Sequence, residues 1–312
     1  MAAYLLRKLW QMIPTLLGVI VLVFFLFKWF GGDPAEVLAG LNATPEQVQA
    51  IRQQLGLDEP VWFQLWIFTQ QIVTGDWGRS WATNESIGSL FASRLPATLT
   101  VMVPILILDT LLAIPLALWV AYRRGSLADR SMMLACTVAV SISLLVYVIV
   151  GQYLFAFKLG WFPVQGWSQS VWTNVSVYAP LPVLLVALVG VAPQARLYRT
   201  FFLDEIQGDY VRTARAKGLS EAQVLWRHVL PNARIPILTN LSVALPGIFV
   251  GSFLIESFFS IPGLGREVLL AVTRSDYPVI QAVTVYVAAI TMVVNLLTDV
   301  LYTWADPRVS FS

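Results

Sequence analysis

The chain has 312 residues, of which 57% are hydrophobic and 12% charged, and its mean hydropathy is +0.71. A soluble domain carries about 25% charged residues, so the composition excludes an ordinary water-soluble protein and makes lipid the expected solvent. The single cysteine, Cys136, excludes an intrachain disulfide and a cysteine-based metal site. No metal site and no nucleic-acid partner are predicted, and the net charge of +2 by itself says little about partners.

Six apolar runs are about as long as the roughly 20 residues that cross a ~30 Å hydrocarbon core as a helix. They are 9–30, 98–121, 131–155, 177–197, 237–259 and 278–304. The spans must be helical, because lipid offers no partner for free backbone N–H and C=O groups. The first run is longer than the apolar core of about 7–15 residues in a signal peptide, so we interpret it as a retained span. The sequence predicts one all-α integral membrane domain over residues 1–312, with six transmembrane helices.

The distribution of Lys and Arg indicates the orientation, because short cytoplasmic loops carry the excess. If the N-terminus is inside, 13 of the 20 basic residues lie on the inner side and seven on the outer side. The inner ones are Arg7, Lys8, Arg123, Arg124, Arg130, Arg196, Arg199, Arg212, Arg215, Lys217, Arg227, Arg234 and Arg308. Both termini are therefore predicted to be cytoplasmic.

Residues 31–95 form the largest loop, which this orientation places outside, and short helices are predicted within it. Thr44-Pro-Glu-Gln47 combines an N-cap, a proline at the first helical position and a capping-box partner. A helix should run from Pro45 to about Leu55 and stop at Gly56. Aromatic side chains favour the headgroup region, so the loop should lie along the membrane surface. These aromatics are Trp62, Phe63, Trp66 and Phe68.

Residues 200–236 are a polar, basic segment between two apolar runs, much longer than a simple turn requires. The pattern predicts a helix over Asp209–Lys217 that ends at Gly218, since glycine tolerates the left-handed geometry of a C-cap. Ser220 should then cap a second helix with Gln223 as its capping-box partner. That helix should end or kink at Pro231, which has no N–H.

The first helix of this segment is cationic through Arg212, Arg215 and Lys217. Ala214 and Ala216 would keep it slim enough to enter a groove. One interpretation is a surface that docks a soluble partner. The alternative is an amphipathic helix that rests on anionic headgroups, and the residues alone do not separate the two.

Three acidic residues fall within predicted spans, where each charge costs about 2.5–3.5 kcal/mol on insertion scales. Asp109 lies near the middle of span two, Glu256 near the outer end of span five and Asp299 near the inner end of span six. Glu256 and Asp299 are expected to reach interfacial water. Asp109 is either part of a wet translocation path or a structural acid that is hydrogen-bonded or protonated; the structural interpretation is favoured.

Prolines and glycines inside the spans predict local distortion. Each of four prolines removes a backbone hydrogen bond and favours a kink; they are Pro104, Pro115, Pro193 and Pro246. Gly247-Ile-Phe-Val-Gly251 is a G-x-x-x-G pattern, which would allow close helix packing.

The segment Ala214-Arg-Ala-Lys-Gly218, followed by Leu230-Pro231, resembles the loop that carries the EAA motif in permease subunits of bacterial ATP-binding-cassette importers. The likeness extends over nearly the whole chain and is greatest to the B-type subunit of the peptide and nickel branch. Two departures are Gly31, where the family commonly has proline, and Asp76-Trp77, where leucine commonly follows aspartate. The further matching motifs are Gly32-Asp-Pro34, Leu55-Gly-Leu-Asp58, Gly75–Ser80, Arg94–Thr98, Glu256–Gly265 and Asp306-Pro-Arg308.

The resemblance implies a type I importer permease in the bacterial inner membrane, with 31–95 as a periplasmic loop and 200–236 as a cytoplasmic coupling loop. It implies three kinds of partner besides the lipid bilayer: a C-type permease, two cytoplasmic ATPase subunits and a periplasmic substrate-binding protein. No G-x-x-x-x-G-K-[ST] motif occurs, so ATP and Mg²⁺ would be bound by the ATPase subunits. No cofactor and no catalytic residue are predicted in this chain.

The acidic residues inside the spans, together with the resemblance, supply the candidate site residues. Asp109 and Glu256 are candidates for the translocation path, and Pro262, Gly263 and Gly265 for an outer gate. The cargo would be di- or oligopeptides; nickel chelates, glutathione and haem-like solutes are alternatives. The residues predicted to couple to the ATPase are Asp209, Tyr210, Arg212, Thr213, Ala214, Arg215, Ala216, Lys217, Gly218, Leu219, Ser220 and Glu221.

Two other functional classes fit the sequence less well. An intramembrane aspartyl hydrolase needs two facing carboxylates, but Asp109 and Asp299 are predicted at different depths. A serine–histidine site is disfavoured because the only histidine, His228, lies in the inner loop. An ion-coupled secondary transporter should show internal repeats and usually more spans. This last class remains a remote alternative.

Overall fold

The structure is a computed structural model that describes residues 2–40 and 43–305, so the Asp306–Arg308 motif lies outside the described residues. Within them the chain is helical apart from its connections and one isolated β-bridge, between Arg79 and Ser86. Five helices are long and apolar enough to cross a membrane, and a bent helix pair supplies a sixth span. The predicted all-α membrane fold is confirmed.

The spans keep the predicted order but not all the predicted limits. Span two begins well before residue 98, and span four continues past residue 197. The loop between spans four and five, called the inner loop after its predicted side, is thereby shortened to residues 207–233. Helical hydrogen bonding continues past Pro104, Pro115 and Pro193. The helices are Ala2–Phe30 (span one), Ile87–Tyr122 (span two), Leu127–Ser141 and Leu144–Gly151 (span three), Pro180–Ile206 (span four), Arg234–Val250 and Phe253–Phe258 (span five) and Tyr277–Ala305 (span six).

Span three is bent by 89° rather than continuous, so the prediction of one uninterrupted helix over 131–155 is wrong. Ile142 is extended and Ser143 begins the second helix. The bend frees the carbonyl of Ala139 from its helical partner, and the hydroxyl of Tyr147 donates to that oxygen at 3.0 Å. A side chain thus replaces the backbone hydrogen bond that apolar surroundings would otherwise leave unmade. A π-helical turn, Gln152–Lys158, continues the second helix.

Span five is interrupted at Gly251 and Ser252. Gly251 has φ 78° and ψ −172°, a backbone conformation essentially limited to glycine. Ser252 then caps the helix Phe253–Phe258. The G-x-x-x-G pattern therefore marks a helix break. Close packing is not observed at Gly247, where no atom of the described residues comes within 4 Å of the position that a Cβ would take.

The described residues form two units, each with its own core. One consists of residues 2–97 and 262–296, and its buried side chains include Ile87, Leu90, Leu264 and Val279. The other consists of residues 98–261 and 297–305. Its core lies around Tyr198 and Phe202 of span four.

Among the described residues, the segments between spans one and two and between spans five and six contain four short helices: Pro34–Ala39, Pro45–Gln54, Val61–Thr74 and Leu264–Thr273. We call these two segments the outer segments, after their predicted side. The capping box between Thr44 and Gln47 is present as predicted, and the helix ends next to Gly56. In the helix Val61–Thr74, Trp62 and Trp66 are 73% and 63% exposed. An exposed tryptophan pair on a short helix fits a headgroup-level position, in line with the surface location predicted for this loop.

Candidate functional site

The loop between spans four and five folds as two helices joined at a glycine. The first helix, Asp209–Ala216, is followed by Gly218 in the left-handed region, with φ 80°. The side chain of Ser220 then accepts a hydrogen bond from the backbone N–H of Gln223. In return, the side-chain oxygen of Gln223 accepts one from the backbone N–H of Ser220. The helix–glycine–helix prediction is therefore confirmed.

The second helix differs from its prediction at Pro231. A short α-helix, Glu221–Val224, passes into a π-helical turn, Leu225–Val229, and helical geometry persists to Asn232. The N–H of Leu230 reaches back five residues to the carbonyl of Leu225. The wider turn lies immediately before the proline, where a normal α-helical turn would clash with its ring.

One face of this loop is buried in the core of its own unit. Val211, Ala214, Val224 and Val229 pack in the cluster that contains Tyr198 and Phe202 of span four. Val211 and Ala214 are three residues apart, which places both side chains on one side of the helix. Ala214 therefore packs inward, and the prediction that it slims the helix for entry into a partner's groove is wrong for this residue. Leu219 also packs partly against the cluster.

The opposite face of the first helix is exposed and cationic. Arg212, Thr213, Ala216 and Lys217 are exposed, as are Asp209, Tyr210, Gly218 and Ser220. Arg212 lies 3.3 Å from Asp209, but both side chains are so exposed that the pair contributes little to stability. Most residues predicted to couple therefore do share one accessible surface, which we call the cationic face.

Arg215 pairs with an acidic residue of the same loop, although its charge had suggested that it adds to the cationic face. Its guanidinium donates to both carboxylate oxygens of Glu221, at 3.0 and 3.2 Å. This bidentate pair joins the first helix to the start of the second across Gly218. Arg215 and Glu221 therefore bridge the two helices of the hairpin, while Arg212 and Lys217 carry its accessible positive charge.

The junction with span four is also fixed by a side chain. The Tyr210 hydroxyl donates to the carboxylate of Glu205, within reach of the Glu205 carbonyl as well. Burial, and then the neighbouring Glu205, raise the pKa of Tyr210, so the phenol stays neutral and remains a donor at physiological pH. Gly208 is needed beside it, because a Cβ there would lie 2.5 Å from the Tyr210 ring.

Two features of this site were not predicted from the sequence. The first is Trp226, which is 51% exposed on the π-helical turn. A lone tryptophan in a polar segment was the sequence feature that could have drawn attention to it. The second is a bidentate ion pair between Asp129 of span three and Arg199 of span four, with both contacts at 2.8 Å. It fixes the inner end of span three to the helix from which the loop emerges. Its partners are 70 residues apart, so no local pattern reveals it.

Glu256 is buried rather than in contact with interfacial water, which corrects the expectation for its position. It is 1% exposed, and the Thr98 hydroxyl donates to its Oε1 at 2.9 Å. The same oxygen lies 2.1 Å from the position that a Cβ on Gly251 would take. Glu256 therefore packs against the break in span five. Its assignment to the translocation path stays a prediction.

Asp109 is also buried, and it faces span four at Gly190, where the absence of a side chain makes room for the carboxyl group. Its Oδ1 has no hydrogen-bond partner among the described residues. The choice between a path and a structural role stays open at Asp109. Asp299 is half-buried near the end of span six.

The proposed gate residues lie in a packed segment. Gly263 and Gly265 are buried, Pro262 is half-buried, and Gly263 precedes the helix Leu264–Thr273 with an extended backbone. Neither glycine has a positive φ. The gate assignment stays a prediction, but the segment is not a loose glycine loop. Over the described ranges, no group of three or more His, Cys, Asp or Glu side chains could hold a metal ion.

Comparison with known proteins assigns this architecture to a family. Residues 113–311 match the family described as binding-protein-dependent transport system inner membrane component, and residues 1–102 match the N-terminal component of the same systems. The chain is 35% identical to a putative peptide transport system permease protein of Brucella abortus (strain 2308), with both chains covered completely.

Two further relatives carry more specific names. The chain is 30% identical to the dipeptide transport system permease protein DppB of Alkalihalophilus pseudofirmus, and 34% identical to the glutathione transport system permease protein GsiC of Salmonella choleraesuis. Each alignment covers both chains completely. Two family models together match nearly every residue, and the chain has the six-span helical fold and the folded polar hairpin described above. This chain therefore belongs to the inner-membrane permeases of binding-protein-dependent transport systems.

Proposed function

We propose that the chain is the non-catalytic permease subunit of an ATP-driven importer, and that it forms half of a path for di- and oligopeptides. Peptide and dipeptide permeases among its full-length relatives support this cargo. A glutathione permease at 34% identity supports glutathione, itself a small peptide, as the second candidate. The proposed assembly contains a C-type permease, two cytoplasmic ATPase subunits and a periplasmic binding protein, in a bacterial inner membrane with both termini cytoplasmic.

The observation that carries this proposal is the division of the inner loop into two faces. Its apolar face is packed on span four, through Val211, Ala214 and Val229. Its cationic face is accessible. A helix that only rested on the membrane surface would not need an apolar face packed on span four. A loop that is both anchored in the helical core and open to a partner is suited to transmit force between them.

Force on this loop would pass directly to the helical bundle. Only Gln207 and Gly208 separate span four from the first loop helix, and the bond between Tyr210 and Glu205 stiffens that junction. The pair between Arg215 and Glu221 links the two loop helices across Gly218, and their buried faces pack on the same core. Closure of the ATPase subunits on ATP would therefore move the loop and the inner end of span four as one body.

The central experiment changes the cationic face without touching its buried side. Ala216→Glu places a negative charge on an exposed, helix-compatible position, and Ala216→Ser is the matched control. In the assembled complex reconstituted into vesicles, we expect Ala216→Glu to abolish most binding-protein-dependent uptake and ATPase stimulation. Normal thermal stability of both variants would show that the fold is intact. Unchanged uptake by Ala216→Glu would refute the docking role.

A second experiment tests sidedness and mechanism together. Ala216→Cys in a Cys136→Ser background should react with a membrane-impermeant maleimide only from the cytoplasmic side, and should be protected when the ATPase subunits are bound. Uptake should require those subunits and ATP. Labelling from outside, or ion-driven uptake by the permease alone, would support a secondary transporter instead.

A further inference from the structure

A cavity that none of these roles uses lies within the unit of residues 2–97 and 262–296. Its volume is about 450 Å³. Its walls are the end of span one, the helix Val61–Thr74, the segment 77–81 and the start of span six. Sites for small molecules commonly measure about 300–1,000 Å³, so the cavity is large enough to hold a ligand. No candidate residue for coupling, path or gate lines it.

Seven of the 23 residues that line the cavity are aromatic. The Phe24 and Phe68 rings are 5.9 Å apart, and Tyr277 contacts both Phe27 and Trp81, with centroids at 5.6 and 5.9 Å. These rings come from span one, the outer helix, the segment 77–81 and span six, so they hold one another in place. A rigid apolar wall of this kind favours a hydrocarbon chain over a charged ligand.

The polar residues of the lining are two cations (Lys28 and Arg79), one acid (Glu59) and four glutamines, so the net charge of the lining is positive. The ammonium group of Lys28 has three N–H donors, and one of them bonds to Gln64 Oε1 at 2.9 Å. Arg79 is exposed and donates through Nη1 to the Asn84 carbonyl at 2.9 Å, which leaves further guanidinium donors. Within residues 6–40 and 43–301, neither side chain forms an ion pair, and Glu59 is the one acidic residue in the lining.

A second cavity, of about 370 Å³, adjoins the first and shares Phe27, Lys28 and Leu57 with it. Lys28 therefore stands where the two cavities meet. This position makes its ammonium group reachable by an anion placed at the mouth of either one.

The depth of the cavity can be read from the exposed aromatic side chains around it. Lys28 lies in the last turn of span one and is followed by the exposed Trp29 and Phe30. Trp62 and Trp66, both exposed, lie on the adjoining helix. Tryptophan concentrates at headgroup level, so the mouth of the cavity lies at the boundary between the hydrocarbon core and the headgroups.

We propose that this cavity binds an anionic phospholipid, with an acyl chain against the aromatic wall and the headgroup phosphate on Lys28 and Arg79. The membrane supplies this ligand directly, and the net positive charge of the lining matches it. The site goes beyond the transport role proposed above. Under the topology proposed there the site lies in the outer leaflet, and only this placement rests on that topology.

The test uses the assembled complex purified from membranes and reconstituted in nanodiscs of phosphatidylcholine with phosphatidylglycerol. Lipid that stays bound on transfer to detergent is identified by native mass spectrometry. We expect phosphatidylglycerol to be retained in preference to phosphatidylcholine. Each of Lys28→Gln and Arg79→Gln should lower its retention about fivefold, as expected for a contact of about 1 kcal/mol between a basic residue and an anionic membrane. Arg274→Gln, an exposed basic residue outside the lining, is the charge-matched control.

A variant that fills the cavity distinguishes lipid bound inside it from lipid attracted to the protein surface in general. Gln71 lines the cavity, whereas the neighbouring Gln70 is exposed and does not. Gln71→Trp should remove the retained lipid and Gln70→Trp should not. Equal retention of both lipids, or equal effects of the two tryptophan variants, would overturn the proposal. Displacement of lipid by a dipeptide would also overturn it and assign the cavity to cargo. None of these outcomes depends on ATP-driven uptake, so failure here is distinct from failure of the transport role.

Discussion

The inner loop and the outer segments use their charged residues in different ways. In the inner loop, Arg212 and Lys217 point away from the protein, and the shape comes from bonds between residues close in sequence. In the outer segments, Asp276 is buried, and it accepts from the Ser80 hydroxyl and from the backbone N–H groups of Trp81 and Ala82. Those partners are almost 200 residues away along the chain.

This difference indicates what each region is built to do. A locally encoded hairpin can keep its own shape while its accessible charge meets another protein. The outer segments hold their shape through long-range contacts to Asp276 and through the pair between Arg94 and Glu267 at 3.3 Å. The loss of one long-range polar contact should therefore cost the outer segments more stability than the loss of one polar contact costs the inner loop, which also has a buried apolar face.

The largest expected effect is the loss of Asp276. Asp276→Ala removes the acceptor for three donors, and each buried donor left without a partner costs about 1–3 kcal/mol. We expect the free energy of unfolding to fall by about 3 kcal/mol and proteolysis near residues 80–86 to become faster. Thermal unfolding of the purified protein measures the first effect. Asp76→Ala, at an exposed acid in the same loop, is the control. Equal melting of the two variants would contradict a long-range anchor.

A second large effect is expected at the break in span five, which also relies on a distant partner. A Cβ on Gly251 would lie 2.1 Å from Glu256 Oε1 and 2.8 Å from Thr98 Cγ2. Its backbone conformation alone costs other residues about 1–3 kcal/mol, so Gly251→Ala should destabilise the protein by at least that amount. Gly247→Ala, four residues earlier in a regular helix, should be neutral or slightly stabilising. Similar losses of stability in Gly247→Ala and Gly251→Ala would show that the helix break is not what makes Gly251 sensitive to substitution.

At Gly218 the effect on transport should exceed the effect on stability. Its φ of 80° strains a β-branched residue, but no atom of the described residues lies within 4 Å of the Cβ position. Gly218→Val should cost about 1–2 kcal/mol of backbone strain, and it should uncouple ATP hydrolysis from uptake by changing the hairpin angle. Asparagine tolerates the left-handed region, so Gly218→Asn should retain most uptake. Full coupling in Gly218→Val would show that this turn is not part of force transmission.

The same comparison explains what the sequence could reveal. Features set by nearby residues were predictable, such as the capping boxes at Thr44 and Ser220 and the turn at Gly218. The inward orientation of Ala214 was not, because the buried face of a short helix depends on its neighbours in space. The bend in span three and the break at Gly251 were also missed, since apolar content alone does not distinguish a straight span from a broken one.

The contacts of the buried acids escaped prediction for a related reason. A single chain shows that Glu256 and Asp276 are acidic, but it does not show which distant groups will satisfy them. Thr98 is 158 residues from Glu256. The shape of the hairpin between spans four and five was predictable because its signals are local. Its docking partner and the cargo path stay predictions, because a single chain contains neither.

The smallest expected effect compares one ion pair from each region by double-mutant cycles. The Arg215–Glu221 side chains are 38% and 39% exposed, and such pairs typically contribute about 0.2–1 kcal/mol. In the outer segments, Glu267 is only 11% exposed beside Arg94, so its coupling should be larger, within about 0.5–3 kcal/mol. Charge-to-glutamine variants at all four positions, singly and in pairs, measure both couplings. Raised salt should weaken the inner pair more, because water and ions reach both of its partners. A stronger inner pair would mean that the hairpin is held by its charges rather than by its caps and buried face.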